Sequence, residues 1–80
     1  MANLISNISN VGFKTSEGGE IFGDGTISKG MAQHVQGKYN IPDNTSADIV
    51  GNGTSDENRS NAYTLDWEGN GWYSGDVYVG

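Results

Sequence analysis

The sequence predicts an all-β protein of short strands, and three observations support this. Apolar runs are only two to four residues long, and breaks that carry glycine separate them. No stretch has the apolar spacing of an amphipathic helix longer than a few turns. Glycine accounts for 13 of the 80 residues and proline for one. Strands this short suit a β-roll or β-solenoid of tight coils better than a sandwich, whose strands are usually about five or six residues long.

The N-terminal part, residues 1–29, is predicted to be a strand-and-loop segment whose role the sequence leaves open. Apolar residues within 3–13 fall at helical intervals, but the serines and asparagines between them are poor helix formers. We therefore favour an extended segment over a short helix there. The pair Ile21 and Phe22 and the stretch 26–28 are strand-sized pieces separated by a glycine-bearing break.

Residues 30–61 are predicted to form a coil followed by a polar loop. Residues 41–44 contain proline, aspartate and asparagine, which favour a chain reversal. Ala47, Ile49 and Val50 form a short strand that ends in a glycine-rich break, and residues 54–61 are entirely polar. The middle of the chain thus alternates short strands with tight turns.

Residues 62–80 are predicted to form an aromatic β-hairpin or meander. Tyr63, Leu65 and Trp67 alternate with polar residues, which is the period of a half-buried strand. Residues 68–71 form a turn, Trp72 and Tyr73 begin a second strand, and residues 77–79 are a third β-prone run. The segment therefore presents a large aromatic face that needs a cover.

The composition indicates that other chains provide this cover. Only 34% of the residues are hydrophobic, and there is no cysteine for a disulfide. For one chain of this size, the free energy of apolar burial roughly balances the conformational entropy lost on folding, and abundant glycine raises that entropic cost. We therefore expect an oligomer. The candidate interface residues are the large apolar side chains of the closing segment: Tyr63, Leu65, Trp67, Trp72, Tyr73, Val77 and Val79.

The charge pattern argues against two other kinds of partner. The net charge is −6 and the four basic residues are scattered, so the chain offers no footprint for a phosphate backbone. No apolar run approaches the roughly 20 residues of a membrane span, and the first residues lack the features of a signal peptide. We expect neither nucleic-acid binding nor membrane insertion.

Two stretches resemble a known family. Residues 30–40 read GMAQHVQGKYN and resemble the "SGxxSHAEGxxN" coil, roughly fourteen residues long, of trimeric β-roll proteins. These coils occur in phage tail fibres and in the heads of trimeric bacterial adhesins. Residues 59–80 are similar to the phrase "RSNAHTLDWxGNAWYAGDVYVG" that closes such rolls. The resemblance covers roughly residues 30–80, in which the sequence shows one coil and not a repeated array.

The resemblance implies a homotrimeric, interwoven β-roll segment of a phage tail fibre or related virion appendage. Such a protein is assembled in the host cytoplasm and forms a stiff stalk that positions a host-recognition module. Its partners are its own copies and other virion proteins, and it carries no cofactor and no enzymatic activity. Because relatives continue beyond the closing phrase, we expect this chain to be either a fragment of a longer fibre or an engineered piece.

An alternative is a host-surface glycan-binding tip or adhesin-like module. Exposed Trp67, Trp72 and Tyr73 would stack on sugar rings in that case. We favour the subunit interface, where aromatic residues are enriched, because the chain has so little other apolar surface to bury.

The sequence gives only weak indications of metal-binding or catalytic residues. His34 is the only histidine, and three copies around an axis would form a metal site, although a packed or hydrogen-bonded residue is the ordinary interpretation. Asp66 and Glu68 flank Trp67 and would share a strand face, which is one arrangement for a glycosidase. Exposed carboxylates more often serve solubility, so we predict no catalytic residues and no metal site apart from the weak candidate His34.

Overall fold

The computed structural model describes residues 5–7, 13–14 and 18–79, and these residues form strands and turns with no helix. The all-β prediction is therefore confirmed for this part of the chain. The predictions for residues 1–4, 8–12, 15–17 and Gly80 lie outside the described residues. The strands are β1 (Ile5–Asn7), β2 (Phe13–Lys14), β3 (Glu20–Ile21), β4 (Thr26–Ser28), β5 (His34–Lys38), β6 (Ser46–Asn52), β7 (Asn61–Asp66) and β8 (Gly71–Tyr73).

Three parallel strands form the centre of a six-stranded sheet of order β2-β3-β5-β6-β7-β8. Glu20 on β3 lies opposite His34 on β5, and His34 lies opposite Asp48 on β6, an offset of 14 residues each time. The structure therefore stacks three coils where the sequence shows one, and the stack extends across the predicted boundary at residue 29. Coils 1, 2 and 3 comprise residues 19–32, 33–46 and 47–60.

Within residues 18–79, the apolar core is a single row of side chains at the same position in each coil. Ile21, Val35 and Ile49 are directly opposite one another across the parallel strands and are fully buried. Stacking places each of them against the next, so one apolar residue per coil suffices for a continuous core. The other buried side chains in that range are polar: Thr26, Ser28, Gln33, Asn40 and Ser46.

Gln33 connects the turns of coils 1 and 2 from the inside. Its side-chain carbonyl accepts hydrogen bonds from the hydroxyl of Ser28 (3.2 Å) and the backbone N–H of Gly30 (3.3 Å). Its amide nitrogen donates to the backbone carbonyls of Asp43 (2.9 Å) and Ser46 (2.8 Å). A fully buried amide is tolerated here because both its donors and its acceptor are paired.

A column of glycines allows the coils to approach closely. Gly23 and Gly37 have φ angles of +116° and +97°, which disfavour residues with a side chain. A Cβ atom on Gly23 would lie 1.9 Å from the carbonyl oxygen of Gly37, and one on Gly37 would lie 2.3 Å from that of Gly51. The 14-residue offset thus places backbone against backbone at this corner.

Arg59 ties coil 3 to the two coils before it. One guanidinium nitrogen donates to the backbone carbonyls of Gly25 (2.9 Å) and Asn40 (3.0 Å), and the other pairs with the carboxylate of Asp56. The guanidinium group also lies 5.6 Å from the centre of the Tyr39 ring, within the range of a cation–π contact. One side chain of the polar loop therefore spans the stack.

An antiparallel hairpin ends the parallel stack. β7 runs antiparallel to β6, and β8 runs antiparallel to β7. The first two strands of the predicted meander are thus confirmed, with Trp67 in the turn and not on the strand. Residues 77–79, the third β-prone run, are outside any strand in the described chain, so within one chain the segment forms the hairpin and not the meander.

Candidate assembly surface

The buried core row continues into exposed surface on the C-terminal side of the sheet. Ile49 lies opposite Thr64 on β7, and Thr64 lies opposite Trp72 on β8, so these side chains share the sheet face of Ile21 and Val35. Exposure rises along this row from 0% at Ile49 to 56% at Trp72. The coils cover the parallel strands but not β8, which leaves Trp72 as an uncovered extension of the core.

The opposite face of the hairpin carries a second aromatic cluster. Tyr63 lies opposite Tyr73, their ring centres are 4.7 Å apart, and Leu65 lies on the same face. Val50 and Asp48 continue this face onto β6. Desolvation, followed by the charges of Tyr73 and Asp48, raises the pKa of the Tyr63 hydroxyl. This face therefore combines two contacting, mutually tilted rings with hydroxyl and carboxylate groups.

The structure divides the seven candidate interface residues among four places. Tyr63, Leu65 and Tyr73 share one face, Trp72 lies on the other, and Trp67 lies in the turn. None of the seven is buried within the chain, and Trp67 (61%), Tyr73 (58%) and Val77 (59%) are among the most exposed large apolar residues. Val77 and Val79 lie in the unpaired segment after β8, where Val79 is 92% exposed.

The same geometry separates the residues of the predicted glycan platform. Trp72 and Tyr73 are consecutive on a strand, so their side chains point to opposite faces of the sheet. Trp67 lies outside the strand. The three aromatic rings are therefore not arranged as one flat surface.

Phe22 and His34 form part of the surface that the residue patterns did not predict. Their rings lie 5.9 Å apart, and Phe22 is 47% exposed. His34 Nδ1 lies 2.8 Å from a carboxylate oxygen of Asp48, with Glu20 opposite His34 on the other side. Glu20, His34 and Asp48 form one row across the parallel strands. The sequence signal for this row is the spacing of 14 residues between the first acid, the histidine and the second acid.

The structure shows His34 as a hydrogen-bonded coil residue. The described residues contain no group of three or more histidine, cysteine, aspartate or glutamate side chains arranged to hold a metal ion. The contact with Asp48 orients the imidazole ring along the stack. His34 accordingly does not form a metal centre within the described chain.

Asp66 and Glu68 do not form a carboxylate pair on a strand. Asp66 ends β7, and its carboxylate accepts hydrogen bonds from the backbone N–H of Asn70 (2.8 Å) and of Glu68 (3.0 Å). These bonds, that of Asn70 first, lower the pKa of Asp66. Glu68 lies in the turn with an exposed side chain. The prediction of a shared face is wrong because the strand ends before Glu68, and Asp66 instead closes the turn.

Comparisons with protein-family models, with curated proteins and with solved structures found no match. Across the described ranges, the surface contains no pocket. The same residues include no helix with the length and apolar character to cross a membrane.

Proposed function

We propose that this chain is a structural, non-enzymatic segment of a phage tail fibre or related virion appendage, built as a homotrimeric β-roll. Its partners are two further copies of itself and neighbouring virion proteins. Interwoven strands make it a stiff stalk that positions a host-recognition module. The 14-residue parallel stack supports this proposal because it matches the coil length of the family that the sequence resembles.

The single observation that carries the assembly is the core row that runs from buried Ile49 to exposed Trp72. In a stable fold such a row is covered, since exposed apolar area contributes nothing to stability. Sister chains cover Trp72 on one face and the Tyr63–Tyr73 pair on the other, so each copy meets both neighbours through the same hairpin. In such an arrangement each contact joins two different surfaces, one from each subunit. Contacts of this heterologous kind close into a ring, which is what a trimer requires.

Size-exclusion chromatography with light scattering tests the assembly. We expect the mass of three chains at micromolar concentration. Trp72→Ser is expected to shift the mass toward one chain, whereas Tyr78→Ser, at an 88% exposed position in the unpaired tail, is expected to leave it unchanged. A folded monomer of the unaltered chain would overturn the proposal.

A glycan-binding tip is the second candidate, and the exposure of Trp67 and Trp72 favours it. Tryptophan fluorescence distinguishes the two. Blue-shifted emission that is protected from a soluble quencher supports the interface. Red-shifted emission that changes on addition of host-surface polysaccharide supports stacking on sugars.

A further inference from the structure

Two Asn-Gly dipeptides occur in the described chain, Asn52–Gly53 and Asn70–Gly71. In such a dipeptide, the backbone nitrogen of glycine can reach the side-chain carbonyl carbon of the preceding asparagine, since no Cβ atom obstructs the approach. Asparagine is for this reason a chemically labile residue. Whether the reaction occurs depends on how tightly the fold holds the glycine nitrogen.

The fold locks the first dipeptide. Gly53 N–H donates to the carbonyl of Lys38 at 3.0 Å, and Asn52 N–H donates to that of Ser60 at 2.9 Å. Gly53 is buried, and a Cβ atom there would lie 2.3 Å from the carbonyl oxygen of Tyr39. The attacking nitrogen is therefore engaged, and its surroundings cannot move without opening the stack.

The second dipeptide is open. Asp66 N–H donates to the carbonyl of Asn70 at 2.9 Å, so the next pair along the antiparallel ladder, Leu65 and Gly71, is not hydrogen-bonded. Gly71 therefore directs its N–H away from β7, on the outer edge of the sheet. Both residues of the dipeptide are exposed, and the atom nearest to a Cβ on Gly71 is a ring carbon of Tyr63 at 3.3 Å.

We propose that Asn70–Gly71 is a site of spontaneous deamidation. The Gly71 nitrogen loses its proton to solvent base and attacks Asn70 Cγ. The new C–N bond closes a succinimide ring, the Cγ–Nδ2 bond breaks, and the side-chain nitrogen leaves as ammonia after taking up a proton. Water then opens the ring to aspartate or isoaspartate. The hydrogen bond from Asp66 N–H to the Asn70 carbonyl favours the first step, because it stabilises negative charge on the Asn70–Gly71 peptide.

The modification changes the turn that closes the hairpin. Asn70 Nδ2 now donates to a carboxylate oxygen of Asp66 at 3.2 Å, and a carboxylate in its place would repel Asp66. The isoaspartate product also inserts a methylene group into the backbone next to β8. The turn that holds β8 against β7 is thereby weakened, irrespective of whether the chain assembles as proposed above.

The full chain incubated at mildly alkaline pH provides the test, in native buffer and in urea. Peptide mass spectrometry follows the replacement of an amide NH₂ by OH at each asparagine, with fragmentation that separates aspartate from isoaspartate. In native buffer we expect Asn70 to react several-fold faster than Asn52, and in urea we expect similar rates. Gly71→Ala is expected to slow the reaction at Asn70 and leave Asn52 unchanged.

Three outcomes would overturn the proposal: equal rates at the two sites in native buffer, faster reaction at Asn52, or an unreactive Asn70. The rates in urea show that the difference arises from the fold and not from the local sequence. Gly71→Ala preserves the backbone, since Gly71 does not have a positive φ angle.

Discussion

The side-chain amide of Asn40 pairs with both main-chain groups of Ile27. Ile27 N–H donates to Asn40 Oδ1 at 2.8 Å, and Asn40 Nδ2 donates to the Ile27 carbonyl at 2.9 Å. Asn61 makes the same pair of contacts with Ile41, at 2.7 and 3.0 Å. Along this wall of the roll, asparagine side chains supply the hydrogen bonds that a neighbouring strand supplies elsewhere.

We expect Asn40→Ala to lower the free energy of unfolding by about 2–4 kcal/mol, because it leaves two part-buried main-chain groups without partners. Asn61→Ala, at a half-exposed position where water replaces the lost partners, is the matched control and is expected to cost about 1 kcal/mol or less. Urea denaturation measures both. Equal losses for the two variants would contradict the interpretation.

The glycine column predicts a second pair of variants. Gly37→Ala places a Cβ atom 2.3 Å from a backbone oxygen and is expected to cost more than about 4 kcal/mol or to prevent folding. Gly69 has a similar φ angle, +93° against +97°, but no atom within 4 Å of a Cβ there. Gly69→Ala is therefore expected to cost only about 1–2 kcal/mol from the backbone conformation itself.

Thermal unfolding followed by circular dichroism separates these two contributions. If the alanine variants at the two positions were equally destabilised, the φ angle alone would account for the effect of Gly37→Ala. The close approach of the coils would then contribute nothing to it.

The hydrogen bonds of the Asp43 carboxylate lead us to expect that the stability of the fold changes at acid pH. Partial burial raises the pKa of its carboxyl group, but hydrogen bonds from Ser46 N–H (2.7 Å) and Thr45 N–H (2.9 Å) outweigh this and hold the pKa below its ordinary value. A carboxylate with a lowered folded-state pKa stabilises the fold above its unfolded-state pKa of about 3.9, and that contribution is lost as the pH falls through the folded-state pKa. Asp43→Asn should therefore be less stable than the unaltered chain at neutral pH.

The difference in unfolding free energy between the two chains should narrow as the pH is lowered below about 4. Glu57→Gln is the control, since Glu57 is an exposed carboxylate with no hydrogen bond to the described residues. A difference for Asp43→Asn that stays constant between neutral and acid pH would show that the carboxylate does not stabilise the turn.

Arg59→Lys is expected to lower the free energy of unfolding by about 1–3 kcal/mol, although it keeps the charge. The lysine nitrogen lies one bond nearer to the main chain than the Arg59 nitrogen that donates to both Gly25 and Asn40, so the ammonium group does not reach both carbonyls. The loss should persist at high salt, because hydrogen bonds to carbonyls are screened less than an exposed ion pair. Lys29→Gln, which removes an exposed charge, is the control, and a loss that vanishes at high salt would indicate that the ion pair with Asp56 dominates.

Local turn chemistry could be predicted from the sequence. Proline and aspartate at positions 42 and 43 indicated the chain reversal that the Asp43 carboxylate closes. Alternation and a glycine-bearing turn indicated the hairpin of β7 and β8. These features depend on residues a few positions apart, so their signals are contained in short windows.

The stack of three coils could not be predicted in the same way. Its core uses one apolar residue per coil, Ile21, Val35 and Ile49, which is too sparse to produce a local period. The main-chain groups that bind the side chains of Asn40 and Arg59 lie 13 to 34 residues away, and nothing in the neighbouring sequence indicates them. The prediction that Trp72 and Tyr73 lie on opposite faces of the sheet would also have required knowledge of the register between β7 and β8.

The 14-residue offset makes the length of this molecule adjustable only in fixed steps. Insertion of one whole coil between β5 and β6 would add a layer of about 4.8 Å. Each glycine of the column would still face the backbone of the next coil, and each core residue would stay in its row. Insertion of one residue more or fewer would turn the following side chains to the opposite face. Duplication of a whole coil is therefore the change in length that disturbs the packing of the stack least.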